Sequence, residues 1–347
     1  MMNRRLFGTL ALGTGLLPGV VHSQAQRAAP ATMAPEAAAG LRVRRTLDAD
    51  VAMPATGRKA WAAQVPQLRI GLLGGENEAD RMGRFGAYQA LLQQVFDVPV
   101  RLFAASDYAG VLQAFSARQI EVSSMGPGVY AGTWIDTNGG VEPLLVPEER
   151  DGSISYIAVM VVRADSGITN LEQMRGKSLA WADANSTSGY LVPRFALRRA
   201  NIPVETGQYF SRTGFAGGHE QGIISVLQRQ FDAAMTWTSG QGDIAQGHTR
   251  GNLRAMVDKN MLNMNDVRII WQSDPIINGP LTIRTDLPAA FKQDITDFHL
   301  ALPKTHPQIY EQIERGGGTG YRTVTHAQFQ FLVDMRREEA AERRRRS

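Results

Sequence analysis

The chain has 347 residues, a length that suits two domains of ordinary size, and 43% of its residues are hydrophobic, enough to build substantial cores. The formal net charge is only +4, and much of the excess lies in Arg4, Arg5 and the terminal run Arg343 to Arg346. Because no basic stripe interleaved with aromatic residues occurs, the sequence gives no support to nucleic-acid binding. The absence of cysteine excludes disulfides, thiol catalysis, cysteine-based metal sites and a lipid anchor on cysteine.

The N-terminus predicts an export signal over residues 1–25. A basic start, Met1 to Arg5, precedes an apolar stretch, Leu6 to Val21, that is short for a membrane span. The segment Arg4-Arg5-Leu6-Phe7 resembles a twin-arginine signal, and the Sec route fits the same residues. An uncleaved anchor is the alternative to cleavage.

Residues 26–66 are rich in Ala, Pro and Gly without apolar periodicity, which predicts a disordered linker. From Leu68 onwards, strand patterns alternate with helical spacing. We predict strands over 68–73, 98–104, 120–124, 156–162, 178–181, 231–235, 267–271 and 281–284. We predict helices over 81–96, 108–118, 171–175, 191–200, 222–230, 287–302 and 325–343, and one near Tyr130. This order predicts an α/β fold of two lobes, each a mostly parallel sheet flanked by helices, with ligand chemistry on loops after the strands.

The segment Asp183 to Pro193 carries the most informative chemistry, because it follows a predicted strand and opens a predicted helix. It contains three consecutive hydroxyl residues, Ser186, Thr187 and Ser188, followed by Gly189. Hydroxyls donate hydrogen bonds, the first N–H groups of a helix lack intrahelical partners, and the helix dipole adds partial positive charge. Together these groups can hold a tetrahedral oxyanion without Lys or Arg. The alternative is simple N-capping, for which one hydroxyl is enough.

The stretch from Asn185 to Pro193, Asn-Ser-Thr-Ser-Gly-Tyr-Leu-Val-Pro, resembles a signature of the periplasmic phosphonate-binding proteins of ABC importers. Three further segments resemble the same family in the same order: Ala105 to Gly110, Asp151-Gly152-Ser153 with Tyr156, and Gly218-His219-Glu220. The resemblance covers roughly residues 68–280 and, more weakly, the C-terminal helices.

This resemblance implies a two-lobed, type II-like periplasmic binding protein that closes on its ligand about a hinge. Lobe 1 would comprise residues 67–156 and 275–347, and lobe 2 residues 157–274. The resemblance also implies a monomer in the periplasm that passes its ligand to an ABC permease in the inner membrane. No cofactor, metal or nucleic acid is expected.

The resemblance assigns roles to single positions. The residues 186–188 would bind phosphonate oxygens through hydroxyl and N–H groups, and His219 would donate from the same lobe. Tyr108 would reach an oxygen from the other lobe, and Tyr156 would line the pocket near the organic substituent. Packing on the sheet is the alternative for Tyr108, and a core position is the alternative for Tyr156.

Two acids that hold the ammonium group in the family's aminoalkylphosphonate binders are missing here. Ser239 and Gly279 stand where the acids are expected, unless a slip in register brings Asp243 or Asp274 into their place. A buried ammonium without a countercharge costs on the order of several kcal/mol, so the pocket should not favour an aminoalkylphosphonate. Trp237 would fill the vacated space beside a small or apolar substituent, or contact a quaternary cation, with an ordinary core position as the alternative.

Three classes of function compete for this sequence. The first is a solute-binding protein that captures a phosphonate or a related small phosphorus oxyanion for an ABC importer. The second is a periplasmic oxyanion sensor with the same fold that signals to a membrane histidine kinase. The third, an enzyme, is disfavoured because the chain has no Gly-x-Ser-x-Gly elbow, no His-Glu-x-x-His motif and no P-loop. We predict the first class.

Overall fold

A computed structural model describes residues 51–316 and 318–346. The predicted export signal and the first part of the predicted linker, up to residue 50, lie outside the described residues. The strands are β1 (Leu68–Leu72), β2 (Val100–Ala104), β3 (Val122–Ser124), β4 (Val141–Glu149), β5 (Ser155–Arg163), β6 (Ser178–Trp181), β7 (Arg212–Phe215), β8 (Ala233–Thr238), β9 (Val267–Gln272), β10 (Ile276–Ile277), β11 (Leu281–Arg284) and β12 (Gly318–Thr323). The α-helices are α1 (Glu78–Phe96), α2 (Tyr108–Ser116), α3 (Pro127–Asp136), α4 (Val192–Arg199), α5 (His219–Leu227), α6 (Asn252–Asp258), α7 (Ala289–Thr305), α8 (Pro307–Glu314) and α9 (Gln330–Arg346).

Two six-stranded sheets form the framework of the two lobes. The first has the order β12-β4-β11-β3-β1-β2, and the second has the order β10-β5-β8-β6-β7, with β9 also paired to β5. The two-lobed α/β architecture is therefore confirmed. Both sheets are mixed rather than mostly parallel, because only four of the ten pairings between described strands are parallel. Two parallel strands need a crossover connection, which α1 supplies between β1 and β2. The strands that adjoin the short connections between the two sheets have no such crossover and pair antiparallel.

Each sheet is covered on both faces, as the apolar strands require. In β5, Val159 and Val161 pack into one hydrophobic core, and Met160 and Val162 pack into the core on the opposite face. Successive side chains of a strand point to opposite faces, so an uninterrupted apolar run fits a strand buried on both sides. The same arrangement in lobe 1 divides its apolar residues between two cores.

The chain passes between the two sheets twice, over residues 150–154 and 278–280. Tyr156, which the sequence prediction assigned to lobe 1, lies on β5 of the second sheet. Strand β10 (Ile276–Ile277), also assigned to lobe 1, pairs with β5 in the same sheet. We therefore propose these two crossings as the lobe boundaries, a few residues from the predicted ones. Short crossings without a helix suit a hinge, because few backbone dihedrals must change to move one lobe.

The prediction of a disordered linker is wrong for its described end. Residues Ala60–Ala63 form a short helical turn, and Trp61 within it is only 3% exposed. The Trp61 ring lies edge-on to Phe96 and Phe291, and its Nε1 donates to Asp294 Oδ2 at 2.7 Å. One buried tryptophan supplies enough apolar area to fix a segment that its Ala and Pro content alone would leave loose.

Among residues 51–316 and 318–346, none of the helices combines the length and the apolar character that crossing a membrane requires. The C-terminal helix α9 packs on α3 of lobe 1. Near its end, Glu342 forms ion pairs with Arg194 and Arg198 of lobe 2. Helix α9 therefore connects the two lobes on the outside of the cleft.

Candidate functional site

A cavity of about 230 Å³ lies between the two sheets. Residues of both lobes line it: Leu73, Tyr108, Ser124, Met125, Gly126, Pro127, Pro147, Tyr156, Ser186, Thr187, Ser188, His219, Trp237, Arg250, Asn278, Gly279, Leu281, Glu314 and Tyr321. Seven of the eight site residues predicted from the sequence are in this set. Ser239 is the exception.

Four helix starts from both lobes meet at the cavity. Tyr108 begins α2 and Pro127 begins α3 in lobe 1, whereas Thr187 begins the helical segment leading into α4 and His219 begins α5 in lobe 2. Each start follows a strand of its own sheet, so the strand ends bring them together at one edge. The helix dipoles and the first-turn N–H groups favour a negative charge between the lobes.

The hydroxyl residues 186–188 open a π-helical turn, Thr187–Leu191, that continues into α4. Ser186 caps this turn, because its Oγ accepts from the N–H of Gly189 at 3.0 Å. Thr187 Oγ1 accepts from the N–H of Gly128, across the cleft in lobe 1, at 2.8 Å. The capping alternative therefore holds for Ser186, and the binding of an anion by this segment stays a prediction. The Thr187 contact also shows that the described conformation has the lobes touching at the site.

Glycine is required at position 189 by the packing around the turn. A Cβ at Gly189 would lie 2.4 Å from the Cβ of Ala182 and 2.9 Å from Cε1 of His219. These separations are far inside van der Waals contact, so any side chain would push the turn away from His219. The absence of a side chain keeps the hydroxyls and the histidine in one wall of the cavity.

His219 is 7% exposed and lies in that wall. Its Nε2 is 3.1 Å from Ser186 Oγ. Burial lowers the pKa of His219 to about 4, so the imidazole is neutral at neutral pH. A neutral ring can offer one N–H to a ligand oxygen without adding a formal charge.

Two tyrosines close the cavity from opposite sides. Burial raises the pKa of Tyr156 to about 12, an effect that hydrogen bonds with Ser188 and Thr187 partly offset. Burial also raises the pKa of Tyr108, and the negative charge of Asp183 adds to this effect. Both phenols therefore stay protonated and keep an O–H donor at physiological pH. Tyr156 packs edge-on to Trp237 with ring centroids 5.4 Å apart.

A buried arginine at the cavity wall was missed by the sequence reasoning. Arg250 has 8% of its side chain exposed, and its Nε donates to Glu149 Oε1 at 3.1 Å. Its guanidinium carbon is 5.6 Å from the centroid of the Trp237 ring, and its Nη1 is 3.7 Å from Glu314 Oε2. Asn278 also donates to Glu149, at 3.0 Å. The only signal in the sequence was the charge of isolated Arg and Glu residues far apart in the chain, which does not reveal a pairing.

Ser239 lies outside the cavity, which corrects its predicted role. Its Oγ is 2.8 Å from Thr249 Oγ1, and its N–H donates to the Arg250 carbonyl, so it fixes the turn that carries Arg250. Gly279 does line the cavity, but a Cβ there would lie 2.2 Å from the carbonyl oxygen of Met125. No acidic side chain therefore fits at that position. Asp243 caps a short helical turn, and neither it nor Asp274 is among the lining residues.

The described residues contain no group of three or more His, Cys, Asp or Glu that would hold a metal ion. The loop Gly74-Gly75-Glu76 borders the cleft, as Gly75 lies close to Tyr108 and to Gly218 of the other lobe. Glu220, in the first turn of α5, pairs with Lys259 at 3.1 Å and does not line the cavity. The cavity lining therefore combines neutral hydrogen-bond donors with one buried arginine, Arg250, and one glutamate, Glu314.

Comparisons with known sequences and structures identify the family of the chain. A sequence model described as ABC transporter, phosphonate, periplasmic substrate-binding protein matches residues 70–329. Since this match spans well over half of the chain, the chain belongs to that family, whose members are substrate-binding components of transporters.

Particular relatives agree with the family. The phosphonates-binding periplasmic protein of Escherichia coli K12 is 28% identical over 271 residues, which are 76% of this chain and 74% of that protein. The phosphate-import protein PhnD of Mycolicibacterium smegmatis is 25% identical over 217 residues, 60% of this chain and 63% of that protein.

Solved structures share the fold. A binding component of a phosphonate ABC transporter from Pseudomonas aeruginosa matches with a TM-score of 0.66 at 20% identity, covering 78% of this chain and 85% of that one. PhnD1 of Prochlorococcus marinus in complex with methylphosphonate matches with a TM-score of 0.66 at 16% identity, covering 79% and 98%.

Proposed function

We propose that the chain captures a phosphonate or a related small phosphorus oxyanion between its lobes and delivers it to the permease of an ABC importer. The observation that carries the proposal is the meeting of four helix starts with the hydroxyls of residues 186–188 at one interlobe cavity. Such a site favours an anion through partial charges and hydrogen-bond donors instead of a full countercharge. The membership of the family and the relatives that transport phosphonate or phosphate support the same proposal.

In the proposed complex the oxygens of the ligand face residues 186–188, His219 and Tyr108. The substituent on phosphorus then lies towards Trp237, Tyr156 and Arg250, which line the same cavity. Neutral donors suit this role, because they hold the oxyanion firmly without an ion pair that would slow its release.

An ammonium group on the substituent is disfavoured by the charges that the cavity contains. The buried Arg250 stands where such a group would approach, and its partner Glu149 is already engaged by it. Neither Ser239 nor Gly279 supplies an acid. We therefore propose that phosphite, phosphate or methylphosphonate binds better than aminoethylphosphonate.

The remaining features of the proposal follow from the family. The protein would act in the periplasm as a monomer, exported by a twin-arginine or Sec signal within residues 1–25. The relatives described above are transport proteins, so the sensing alternative gains no support from them.

Isothermal titration calorimetry of the exported protein tests the proposal. We expect saturable binding of methylphosphonate, phosphite or phosphate, weaker binding of aminoethylphosphonate, and little binding of methanesulfonate as the control anion. A ligand at a hundred times its Kd should also stabilise the fold by about 2.7 kcal/mol, measurable as a rise in Tm. Binding of the sulfonate in preference to every phosphorus oxyanion would refute the proposal.

A further inference from the structure

Arg250 and Glu314 bring two opposite charges to the wall of the interlobe cavity. Arg250 lies just before α6 in lobe 2, and Glu314 is the last residue of α8 in lobe 1. Arg250 Nη1 is 3.7 Å from Glu314 Oε2, which is close enough for an ion pair but too far for a hydrogen bond. The cavity therefore contains one charged pair, the Arg250–Glu314 pair, that is contributed by both lobes.

Each member of the pair keeps one polar atom for a ligand. The other nitrogens of Arg250 are engaged, since Nε and Nη2 both donate to Glu149 Oε1. Glu314 Oε1 accepts from the Tyr321 hydroxyl at 2.8 Å. Within residues 51–316 and 318–346, neither Arg250 Nη1 nor Glu314 Oε2 has a hydrogen-bond partner. The pair thus offers a donor and an acceptor side by side in the cavity wall.

The balance of charge at the pair disfavours a charged group. Because the two charges are so close, a carboxylate that contacts Arg250 also meets Glu314, and an ammonium that contacts Glu314 also meets Arg250. Glu149, whose side chain is fully buried, neutralises Arg250 from inside the protein. Burial raises the pKa of Glu314, and the charge of Arg250 opposes this effect. A protonated Glu314 would still leave Arg250 paired with Glu149, so neither state of Glu314 calls for a charged partner.

Two aromatic rings connect the pair with the hydroxyl residues 186–188. Tyr156 lies beside Ser188 in the cavity, and its ring centroid is 5.4 Å from that of Trp237. The centroid of Trp237 is in turn 5.6 Å from the guanidinium carbon of Arg250. A short alkyl chain packed along these rings can therefore extend from an oxyanion at residues 186–188 to the pair.

We propose that the Arg250–Glu314 pair recognises a neutral hydroxyl at the end of the substituent, so that the preferred ligands are phosphonates with a short hydroxyalkyl chain. This inference rests on the proposed function, because it takes the phosphonate group to bind at residues 186–188. A hydroxyl accepts from Arg250 Nη1 and donates to Glu314 Oε2 at the same time. An alkyl chain leaves both atoms without a partner, and a charged end meets a like charge.

Calorimetry with a matched ligand series tests the inference on the wild-type protein. The probes are hydroxyethylphosphonate and hydroxypropylphosphonate with terminal hydroxyls, and the controls are methylphosphonate, ethylphosphonate and propylphosphonate. Aminoethylphosphonate and phosphonopropionate supply the charged ends. We expect at least one hydroxyl compound to bind on the order of tenfold tighter than the alkyl compound of equal chain length, and tighter than either charged compound.

The outcomes of this series separate the inference from the proposed function. Equal or tighter binding of the alkyl compounds, or tighter binding of a charged compound, overturns the inference. The proposed function then stands if methylphosphonate binds. Failure of every phosphonate, methylphosphonate included, overturns both.

The variant Glu314→Gln assigns the preference to the pair. Glutamine keeps the size of the side chain and an acceptor for Tyr321, but it replaces the carboxylate Oε2 by an amide N–H donor. We expect the advantage of the hydroxyl compound to fall and phosphonopropionate to bind about tenfold tighter than it binds the wild type, because its carboxylate no longer meets a like charge.

Glu311→Gln is the matched control, since Glu311 is an exposed glutamate of the same helix α8, three residues earlier. It should change neither the hydroxyl preference nor the affinity for phosphonopropionate. A hydroxyl preference that persists unchanged in Glu314→Gln, or that is lost equally in Glu311→Gln, contradicts the inference.

Discussion

The three hydroxyls of residues 186–188 have different hydrogen-bond partners. A substitution at each position would therefore affect the protein scaffold and the ligand contact to different extents. The Ser186 hydroxyl caps its own helical turn, and the Thr187 hydroxyl joins the lobes through Gly128. Ser188 lines the cavity beside Tyr156. Removing the Ser186 or Thr187 hydroxyl therefore disturbs the scaffold as well as the cavity. Ser188 offers the cleaner measure of ligand contact.

We predict that Ser188→Ala weakens binding of methylphosphonate by about tenfold or more, since a hydrogen bond to a charged group contributes about 1.5–3 kcal/mol. The measurement is the Kd from calorimetry, together with the free energy of unfolding in urea. The unfolding free energy should change by less than about 1 kcal/mol. An unchanged Kd would mean that the oxyanion binds elsewhere in the cavity.

Ser239→Ala is the matched control, because Ser239 is the one predicted ligand residue that the structure places outside the cavity. Its hydroxyl is bonded to Thr249 in the turn before Arg250. We expect this variant to lower the unfolding free energy by about 1 kcal/mol and to leave the Kd of methylphosphonate unchanged. A large loss of affinity would restore the role that the sequence pattern assigned to Ser239.

At the scale of elements, strong local patterns predicted the structure well. The strands Ser178–Trp181 and Leu281–Arg284 agree with the sequence prediction to the residue. Their apolar runs are local signals, and the packing of the folded chain agrees with them. The hydroxyl turn was predictable for the same reason.

Elements that depend on distant partners were missed. Strand β12 is rich in glycine, and β4 contains Pro143 and Pro147, so neither shows a strand pattern without its neighbours in the sheet. Helix α8 was missed as well, and with it Glu314, which lines the interlobe cavity. The pairing of Arg250 with Glu149 joins residues about a hundred positions apart, which no local pattern encodes. The sequence thus named the hydroxyl, histidine and aromatic residues that line the cavity and missed its charged residues, Arg250 and Glu314.

Helix α9 carries the next prediction, because it holds the hydroxyl turn from outside the cleft. Arg336 donates to the carbonyls of Asn185 at 2.8 Å and Gly128 at 3.2 Å, one in each lobe. We predict that Arg336→Leu weakens methylphosphonate binding by about tenfold, because the loop before residues 186–188 loses charge-assisted bonds. Calorimetry measures the affinity, and faster hydrogen exchange of the amides of 184–188 would report the loosened loop.

Arg337→Leu is the control for this prediction. Arg337 is the next residue of α9, has 55% of its side chain exposed and pairs with Asp334 at 3.7 Å. Exposed ion pairs contribute little, so neither the affinity nor the exchange at 184–188 should change. If both variants lose affinity alike, the effect belongs to the general stability of α9 rather than to the contact with the turn.

On the scale of the whole molecule, the lobes are held together by contacts of different chemistry around one cavity. Lys259 of lobe 2 pairs with Asp80 of lobe 1 at 3.0 Å near the rim, and Arg250 pairs with Glu149 in the interior. The rim pair is partly exposed and gives little net stability, whereas breaking the buried pair would leave an uncompensated charge. A ligand that bridges the lobes adds to these contacts, which is how binding and closure become coupled.

Each lobe also contains one buried histidine whose titration links stability to pH. Burial lowers the pKa of His219 in lobe 2 and of His299 in lobe 1 to about 4. The Nδ1 of His299 lies 2.7 Å from the Ile295 carbonyl and its Nε2 2.8 Å from the Tyr88 hydroxyl, so the neutral ring is fully bonded. Between the ordinary pKa of about 6.5 and the folded value, the unfolded chain binds more protons than the native protein. Stability contributed by the neutral rings is therefore complete above pH 6.5 and is lost as the pH falls towards 4.

We predict that ligand-free protein loses roughly 3 kcal/mol for each of these histidines between pH 6.5 and pH 4. The variant His299→Gln isolates one of them, since carboxylates that titrate in the same range are common to both proteins. Urea unfolding at several pH values gives the slope of the unfolding free energy against pH. Near pH 5 the slope of the variant should be smaller by about one proton, or about 1.4 kcal/mol per pH unit. Identical slopes would mean that His299 is charged in the native state; its Nδ1–H would still donate to the Ile295 carbonyl, and its Nε2–H would donate to the Tyr88 hydroxyl instead of accepting from it.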